Sequence, residues 1–242
     1  MRIVCWFSCG VTSAVATKIA LEVYGKDNLV IAYCDTGSEH PDNERFLSDC
    51  EAWFDHPITT LKNPKYNDIW DVYEKTKYIA GINGARCSLE MKKRVRQNFE
   101  DLDEDVQIFG FDCDETKRAI KFKKNNPEVT LSTPLIAGGI SKSDCIQVLY
   151  DVGIALPIMY KLGYKNNNCI GCPKGAKGYW NKIRVDFPNE FQRMAGMEHK
   201  LGATLNIMNI KGKRIRVLLS DLPIDAGNYK SELPIQCGLL CE

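Results

Sequence analysis

Apolar residues in this chain fall into short unbroken runs, separated by stretches in which they recur every three or four positions. Residues 2–8 (RIVCWFS) and 28–34 (NLVIAYC) are runs of strand length, the pattern of strands covered on both faces. Between them residues 12–24 take helical spacing, with Val15, Ile19 and Val23 at i, i+4 and i+8. A second helix is predicted at about 42–54, with Phe46, Cys50 and Trp53 on one face. A strand follows near 57–61, then a basic-then-acidic helix over 89–104 and a strand at 106–111. This alternation predicts an α/β fold, Rossmann-like and doubly wound, with a mostly parallel sheet. Its ligand is expected at the carboxyl ends of the strands.

From about residue 141 the pattern becomes helical. Ser141 with Asp144 three positions on reads as a capping box for a helix through Val152. Another helix is predicted from Phe187 to about His199, with Phe187, Phe191 and Met194 inward, and the tail over 221–242 reads as irregular. The organisation predicted is an α/β domain over 1–140 and a C-terminal helical, cysteine-bearing portion over 141–242 packed on it.

Composition narrows the classes. The chain has 242 residues, 44% hydrophobic and 26% charged, enough for one large domain or a domain with a small appendage. Lys and Arg total 32 against 31 Asp and Glu, so no bulk charge marks a nucleic-acid binder, although local basic groups exist. No apolar run approaches the ~20 residues of a membrane helix. The start lacks the apolar segment of a signal peptide, and the expected location is cytoplasmic.

Eleven cysteines then change the picture. In a reducing compartment, spaced cysteines read as metal, cluster or sulfur-handling sites. Cys5, Cys34 and Cys50 lie on predicted core faces and read as packing residues, as do Cys113 and Cys145. Cys169-Ile170-Gly171-Cys172 is different, because a two-residue spacer with Gly lets both thiolates face one metal or cluster. Cys87 lies upstream of it, and Cys237 and Cys241 lie in the tail. A four-iron cluster, a structural zinc and free thiols for sulfur relay all suit this set.

The turn after the first strand is Ser8-Cys9-Gly10-Val11-Thr12-Ser13. Small residues at the mouth of a helix let N–H groups and hydroxyls surround an anion; the competing reading is an ordinary serine-capped turn. A Walker lysine is absent, so this is not that type of P-loop. Asp35-Thr36-Gly37 ends the second strand, where a carboxylate meets ribose or adenine, or caps the next helix. Basic groups occur at Lys92, Lys93, Arg94 and Arg96, at Lys117, Arg118, Lys121, Lys123 and Lys124, and at Lys211, Lys213, Arg214 and Arg216. Such runs are usually solvated faces. His40, His56 and His199 show no metal-binding spacing.

Together these motifs resemble the PP-loop adenine nucleotide alpha hydrolase superfamily, in its phosphoadenosine phosphosulfate (PAPS) reductase-like branch. The resemblance rests on Ser8, Gly10 and Ser13 in an SxGxxS loop, on Asp35-Thr36-Gly37, and on Gly110, Asp114, Glu115 and Arg118 in a later G-x-x-x-D-E-x-x-R stretch. It spans roughly residues 2–200. The departures are Cys9 where Gly is commoner, and Val11-Thr12 where many members carry Lys-Asp.

The resemblance implies an ATP pyrophosphatase that adenylates an acceptor for sulfur incorporation, with ATP and Mg2+. Residues 8–13, Asp35, Thr36, Gly37, Lys92, Gly110, Asp114, Glu115 and Arg118 would bind the nucleotide. Ser8, Ser13, Asp35 and Arg118 would act in catalysis, and Cys237 would handle sulfur. In cluster-bearing relatives Cys87 and Lys92 have counterparts, while Ser88 stands where a second cysteine would be; Cys87, Cys169 and Cys172 would hold the cluster, with Cys241 or Cys237 as a fourth ligand. DNA-phosphorothioation proteins of the DndC and SspD type match the size and cysteine content. They imply a cysteine desulfurase as sulfur donor and DNA or another nucleic acid as acceptor, with a homodimer compatible and no membrane partner. The alternative is a PAPS or adenylylsulfate reductase that yields sulfite with thioredoxin; Ser88 and a tail Cys237-Gly238-Leu239-Leu240 without a histidine count against it. A third reading is a regulatory nucleotide binder without turnover.

Overall fold

The computed structural model describes residues 1–81 and 84–236. Its principal elements, in chain order, are β1 (Arg2–Trp6), α1 (Val11–Tyr24), β2 (Leu29–Cys34), α2 (Asn43–Phe54), β3 (Ile58–Leu61), α3 (Ile69–Thr76), α4 (Arg94–Phe99), β4 (Asp105–Phe109), α5 (Thr116–Asn125), β5 (Thr130–Ser132), α6 (Lys142–Asp151), α7 (Lys177–Asp186), α8 (Pro188–Leu201), β6 (Asn206–Ile210) and β7 (Lys213–Val217). They fall into two compact units. The first comprises Met1–Asp35, His40–Lys62 and Val95–Asn167; the second comprises Thr36–Glu39, Asn63–Arg94 and the chain from Asn168. The units therefore interleave along the chain, where the sequence suggests one cut near residue 140.

The first unit is built on a five-stranded sheet in the order β3-β2-β1-β4-β5, every pairing parallel. Helices flank it, the arrangement of a Rossmann-like fold. β1 occupies the centre, so alternate side chains serve two layers. Ile3 and Cys5 join Val11, Ala14, Val15, Phe46, Cys50, Cys145 and Leu149 in one core. Trp6 stacks on Phe109 and meets Phe99 edge-on in another layer, which continues to Phe111 and Phe122. Arg96, also buried, donates to Glu100 (2.6 Å) beneath that aromatic layer.

Several predicted elements return with altered ends or faces. α1 is buried nearly all round, through Val11, Ser13, Ala14, Val15, Ala16, Thr17, Ala20 and Leu21. Val23, expected inward, is 67% exposed, and Glu22 and Tyr24 beside it are exposed as well, so the last turn of α1 leaves the core. The helix expected over 89–104 stops at Phe99. The Asp101 carboxylate accepts the N–H groups of Asp103 and Glu104, a local bond that competes with helix continuation. The Ser141–Asp144 capping box forms as read: Ser141 N–H donates to Asp144 Oδ2 (2.8 Å) and Asp144 N–H to Ser141 Oγ (3.2 Å). Cys5, Cys34, Cys50 and Cys145 are buried, and burial pushes the Cys5 and Cys145 thiols up to about 12, which keeps them inert.

The second unit packs α3, α7 and α8 around Trp70, Tyr73, Met91, Trp180, Phe191 and Met194, all buried. β6 and β7 form a separate antiparallel hairpin. No helix among the described residues is long and apolar enough to cross a membrane.

Candidate functional site

Four residues, Phe7 to Gly10, carry the chain from β1 into α1. The Ser13 hydroxyl, 3% exposed, ties this turn from inside. It accepts the N–H groups of Ser8 (3.1 Å) and Gly10 (3.3 Å), donates to the Gly10 carbonyl (2.9 Å) and lies 3.1 Å from the Ser8 hydroxyl. Cys9 takes φ 58°, a left-handed conformation uncommon outside glycine. Its side chain is fully buried, and its carbonyl accepts the Asn167 amide at 2.6 Å, which holds the strained peptide in place. Ser8 is exposed, Gly10 and Thr12 are half-buried, and the Val11 side chain is core. Val11 therefore belongs to the loop through its backbone only. Its N–H bonds the Tyr160 hydroxyl, whose acidity burial pushes to about 12. No acidic side chain lies in the first turn of α1, so the helix itself supplies no counter-charge to the positive end of its dipole.

The strand order reverses between β1 and β4, which makes the ends of these two strands the switch point where α/β sheets bind ligands. Gly110, just past β4, presses on α1's first turn. A Cβ there would stand 2.7 Å from the Ser13 N and Cα and 2.8 Å from the Thr12 carbonyl carbon. Its role is thus close packing of the two loops. Next along the chain, the Asp112 carboxylate accepts the Asp114 N–H at 3.0 Å. Burial, then the nearby Glu115 charge, raises the Asp112 pKa. Glu115 pairs with Arg118 at 2.5 Å, and the guanidinium lies 5.3 Å from the Phe111 ring centre. Asp114 is exposed.

At the end of β2, Asp35 pairs with Lys62 at 2.5 Å, and its N–H bonds the Leu61 carbonyl at the end of β3. Lys142, at the start of α6, donates to the Lys165 carbonyl and to Asn166 Oδ1 (2.5 Å) and lies 5.2 Å from the Tyr160 ring centre. Burial lowers its pKa, opposed by Asp112 and Glu115. Sequence reading missed Lys62, Asp112, Lys142, Tyr160 and Asn167. The only signal for the last was its place in the Asn166-Asn167-Asn168 run.

The second unit holds Thr36, Gly37, Lys92 and three of the cysteines assigned to a metal. Cys87, Cys169 and Cys172 are all buried. The Cys169 sulfur lies 3.0 Å from Thr36 Oγ1 and 3.6 Å from Glu39 Oε1. The Tyr73 hydroxyl donates to the Cys87 sulfur at 3.3 Å. Burial raises the Tyr73 pKa well above its usual value, and the charges of Cys87, Cys172 and Cys169 add to the shift, so the three sulfurs act on one hydroxyl. Tyr179 braces the CxxC turn, accepting the Cys172 N–H at 2.9 Å and donating to the Cys169 carbonyl at 3.4 Å.

These buried sulfurs are chemically suited to a thiolate-held group. Among the described residues, however, no group of three or more His, Cys, Asp or Glu side chains is arranged to hold a metal ion. Cys237 and Cys241 lie outside the described residues. Thr36 thus serves the cysteine turn. Gly37 takes φ 60°, and a Cβ there would fall 2.2 Å from the Asn67 carbonyl oxygen. Lys92 is half-buried in a π-helical turn, Leu89–Lys93, whose buried Glu90 pairs with Arg86 and Arg94.

No known family model matches the chain. It is similar to the uncharacterized protein MJ0066 of Methanocaldococcus jannaschii, with 26% identity over 213 residues, covering 81% of this chain and 42% of that protein. The chain thus spans less than half the length of this relative.

Proposed function

We propose that the first unit binds ATP in the manner of PP-loop proteins and splits it between the α and β phosphates, adenylating an acceptor for replacement of oxygen by sulfur. The observation that carries this reading is the position of the Ser8–Ser13 turn. It stands at the switch point of the sheet, at the N-terminus of a 14-residue helix with no acidic residue in its first turn, and Gly110 is pressed against it.

The chemistry follows from that placement. An oxygen leaves poorly until it is part of an AMP ester. The hydroxyl of Ser8 and the amides at the start of α1 would stabilise charge on the departing pyrophosphate, and fixed donors aimed at developing charge lower the barrier. Ser13 keeps those donors in register from within the loop. Asp35, at the neighbouring strand end, would orient the nucleoside, and Arg118 would balance phosphate charge. Magnesium would enter with the phosphates; the described carboxylates form no cage for it, and no step is assigned to it.

Cys87, Cys169 and Cys172 are proposed to form a thiolate site together with Cys241. Cys237 is proposed to handle sulfur supplied by a cysteine desulfurase, with DNA as the acceptor. Iron, zinc and acid-labile sulfide analysis of anaerobically prepared protein reads the thiolate site. Metal that disappears in Cys169→Ser supports it, and equal content in both proteins rejects it. The nucleotide reading is tested by pyrophosphate release from ATP with magnesium, and Asp35→Ala is expected to reduce release at least tenfold. Sulfite release from PAPS with thioredoxin, in place of pyrophosphate release, would make the protein a reductase.

A further inference from the structure

One feature of the second unit plays no part in the site described above. β6 and β7 pair antiparallel from Asn206↔Val217 to Ile210↔Lys213, closed by Lys211 and Gly212 at φ 50° and 77°. Two consecutive left-handed residues make the tight turn that matches strand twist. The ribbon carries Lys211, Lys213, Arg214 and Arg216, all exposed, and no acidic residue. The whole chain carries +1, so this concentration is local.

The register sorts the side chains. Ile207 opposes Arg216 and Asn209 opposes Arg214, and residues directly opposite share a face. That face is exposed throughout, whereas on the other Asn206 is buried and Met208 and Val217 are half-buried beside the exposed Lys213 and Ile215. The root of the ribbon is anchored. The buried Glu198 carboxylate accepts the Leu205 N–H at 2.7 Å and the Leu219 N–H at 2.6 Å, one on each flank. Arg216 adds a contact to Thr204 Oγ1 at 3.4 Å. A two-stranded element that packs little of its own surface is marginal alone; here a buried carboxylate pins both of its ends.

We infer that this ribbon is a docking element for duplex DNA, which inserts its Asn209–Arg214–Arg216 face into the major groove and places Lys211 and Lys213 on the flanking phosphates. The fit is one of charge and width. A major groove about 12 Å wide admits a two-stranded ribbon, and five-residue strands reach about 17 Å. A bidentate guanidinium or amide can meet base edges there, while lysines neutralise phosphates as point charges. The deep, narrow major groove of duplex RNA excludes such an element. The inference rests on the adenylation reading only for the use made of the bound DNA; the binding itself rests on the ribbon.

The test uses the full chain and fluorescence anisotropy with a 30-base-pair DNA, the matching RNA duplex and vesicles containing phosphatidylserine. Tighter binding to the DNA than to either competitor is expected. The two lysine–phosphate contacts give a salt slope of about −1.8, so affinity should fall about tenfold between 50 and 200 mM salt. Arg214→Gln/Arg216→Gln should weaken binding at least tenfold and leave the slope nearly unchanged, with pyrophosphate release from ATP alone unchanged. Equal DNA affinity in wild type and variant would overturn the inference, as would preference for RNA or vesicles, or no DNA binding at 50 mM salt. Loss of pyrophosphate release with DNA binding intact would count against the adenylation reading alone.

Discussion

Ser13 shows how one hydroxyl can shape a loop without facing solvent. It satisfies two backbone donors of a part-buried turn, and losing such a bond costs about 1 kcal/mol. Ser13→Ala should therefore lower stability by that order in denaturant titration and also cut pyrophosphate release. A variant with wild-type release would remove the loop from the mechanism. Asp112 offers a test through pH. Burial and Glu115 raise its folded pKa above the ordinary 3.8. The folded state then holds the proton more tightly than the unfolded chain, so this contribution to stability is complete below about 3.8 and is lost as pH rises through the folded pKa. Asp112→Asn keeps the acceptor for the Asp114 N–H and removes the charge. Its Tm should gain on wild type as pH rises from 3.5 to about 7; parallel Tm curves would contradict the assigned shift. The thiols supply a third test. Cys113 is half-buried while the other eight described cysteines are buried, so Cys113→Ser should remove one equivalent from the fast phase of a native thiol titration. An unchanged fast phase would place its thiol inside.

At the scale of elements, the Gly110 contact separates a packing role from a binding role. A methyl group at 2.7 Å from backbone atoms of α1 has nothing flexible to displace. Gly110→Ala is expected to cost about 1–3 kcal/mol and to misplace the Ser8–Ser13 turn; full stability with full activity would show that the two loops are not coupled. The elements that the sequence reveals are those whose own pattern decides them. β1 and β2 are continuous apolar runs because the sheet is covered on both faces, and α6 announces itself through its Ser141–Asp144 cap. Others depend on tertiary context. β5 is three residues at a sheet edge. α7 begins Lys-Gly, and its Gly178 fits where the Tyr229 backbone N lies 2.4 Å from a would-be Cβ. The β6–β7 ribbon alternates cations with isoleucine, a pattern that reads as a solvated charge run until the register shows which residues share a face.

For the molecule as a whole, the sequence carries the sheet and its strand-end motifs but not their division between units. Asp35 and Thr36 are adjacent in a single motif, yet Asp35 pairs with Lys62 in the first unit and Thr36 meets Cys169 in the second. No local pattern marks that boundary, because Lys62 and Cys169 are distant in sequence from the residues they contact. The Ser8–Ser13 turn and the CxxC stand out in the sequence because each is a short, closely spaced motif. Asp112, Lys142 and Tyr160 do not, since each gains its role from burial beside partners elsewhere in the chain.

The most direct test of the central claim is an anaerobic assay of pyrophosphate release from ATP and magnesium by the full chain, run beside Asp35→Ala. The account predicts release by the wild type and at least a tenfold loss in the variant. No release, or equal release by both proteins, would contradict it.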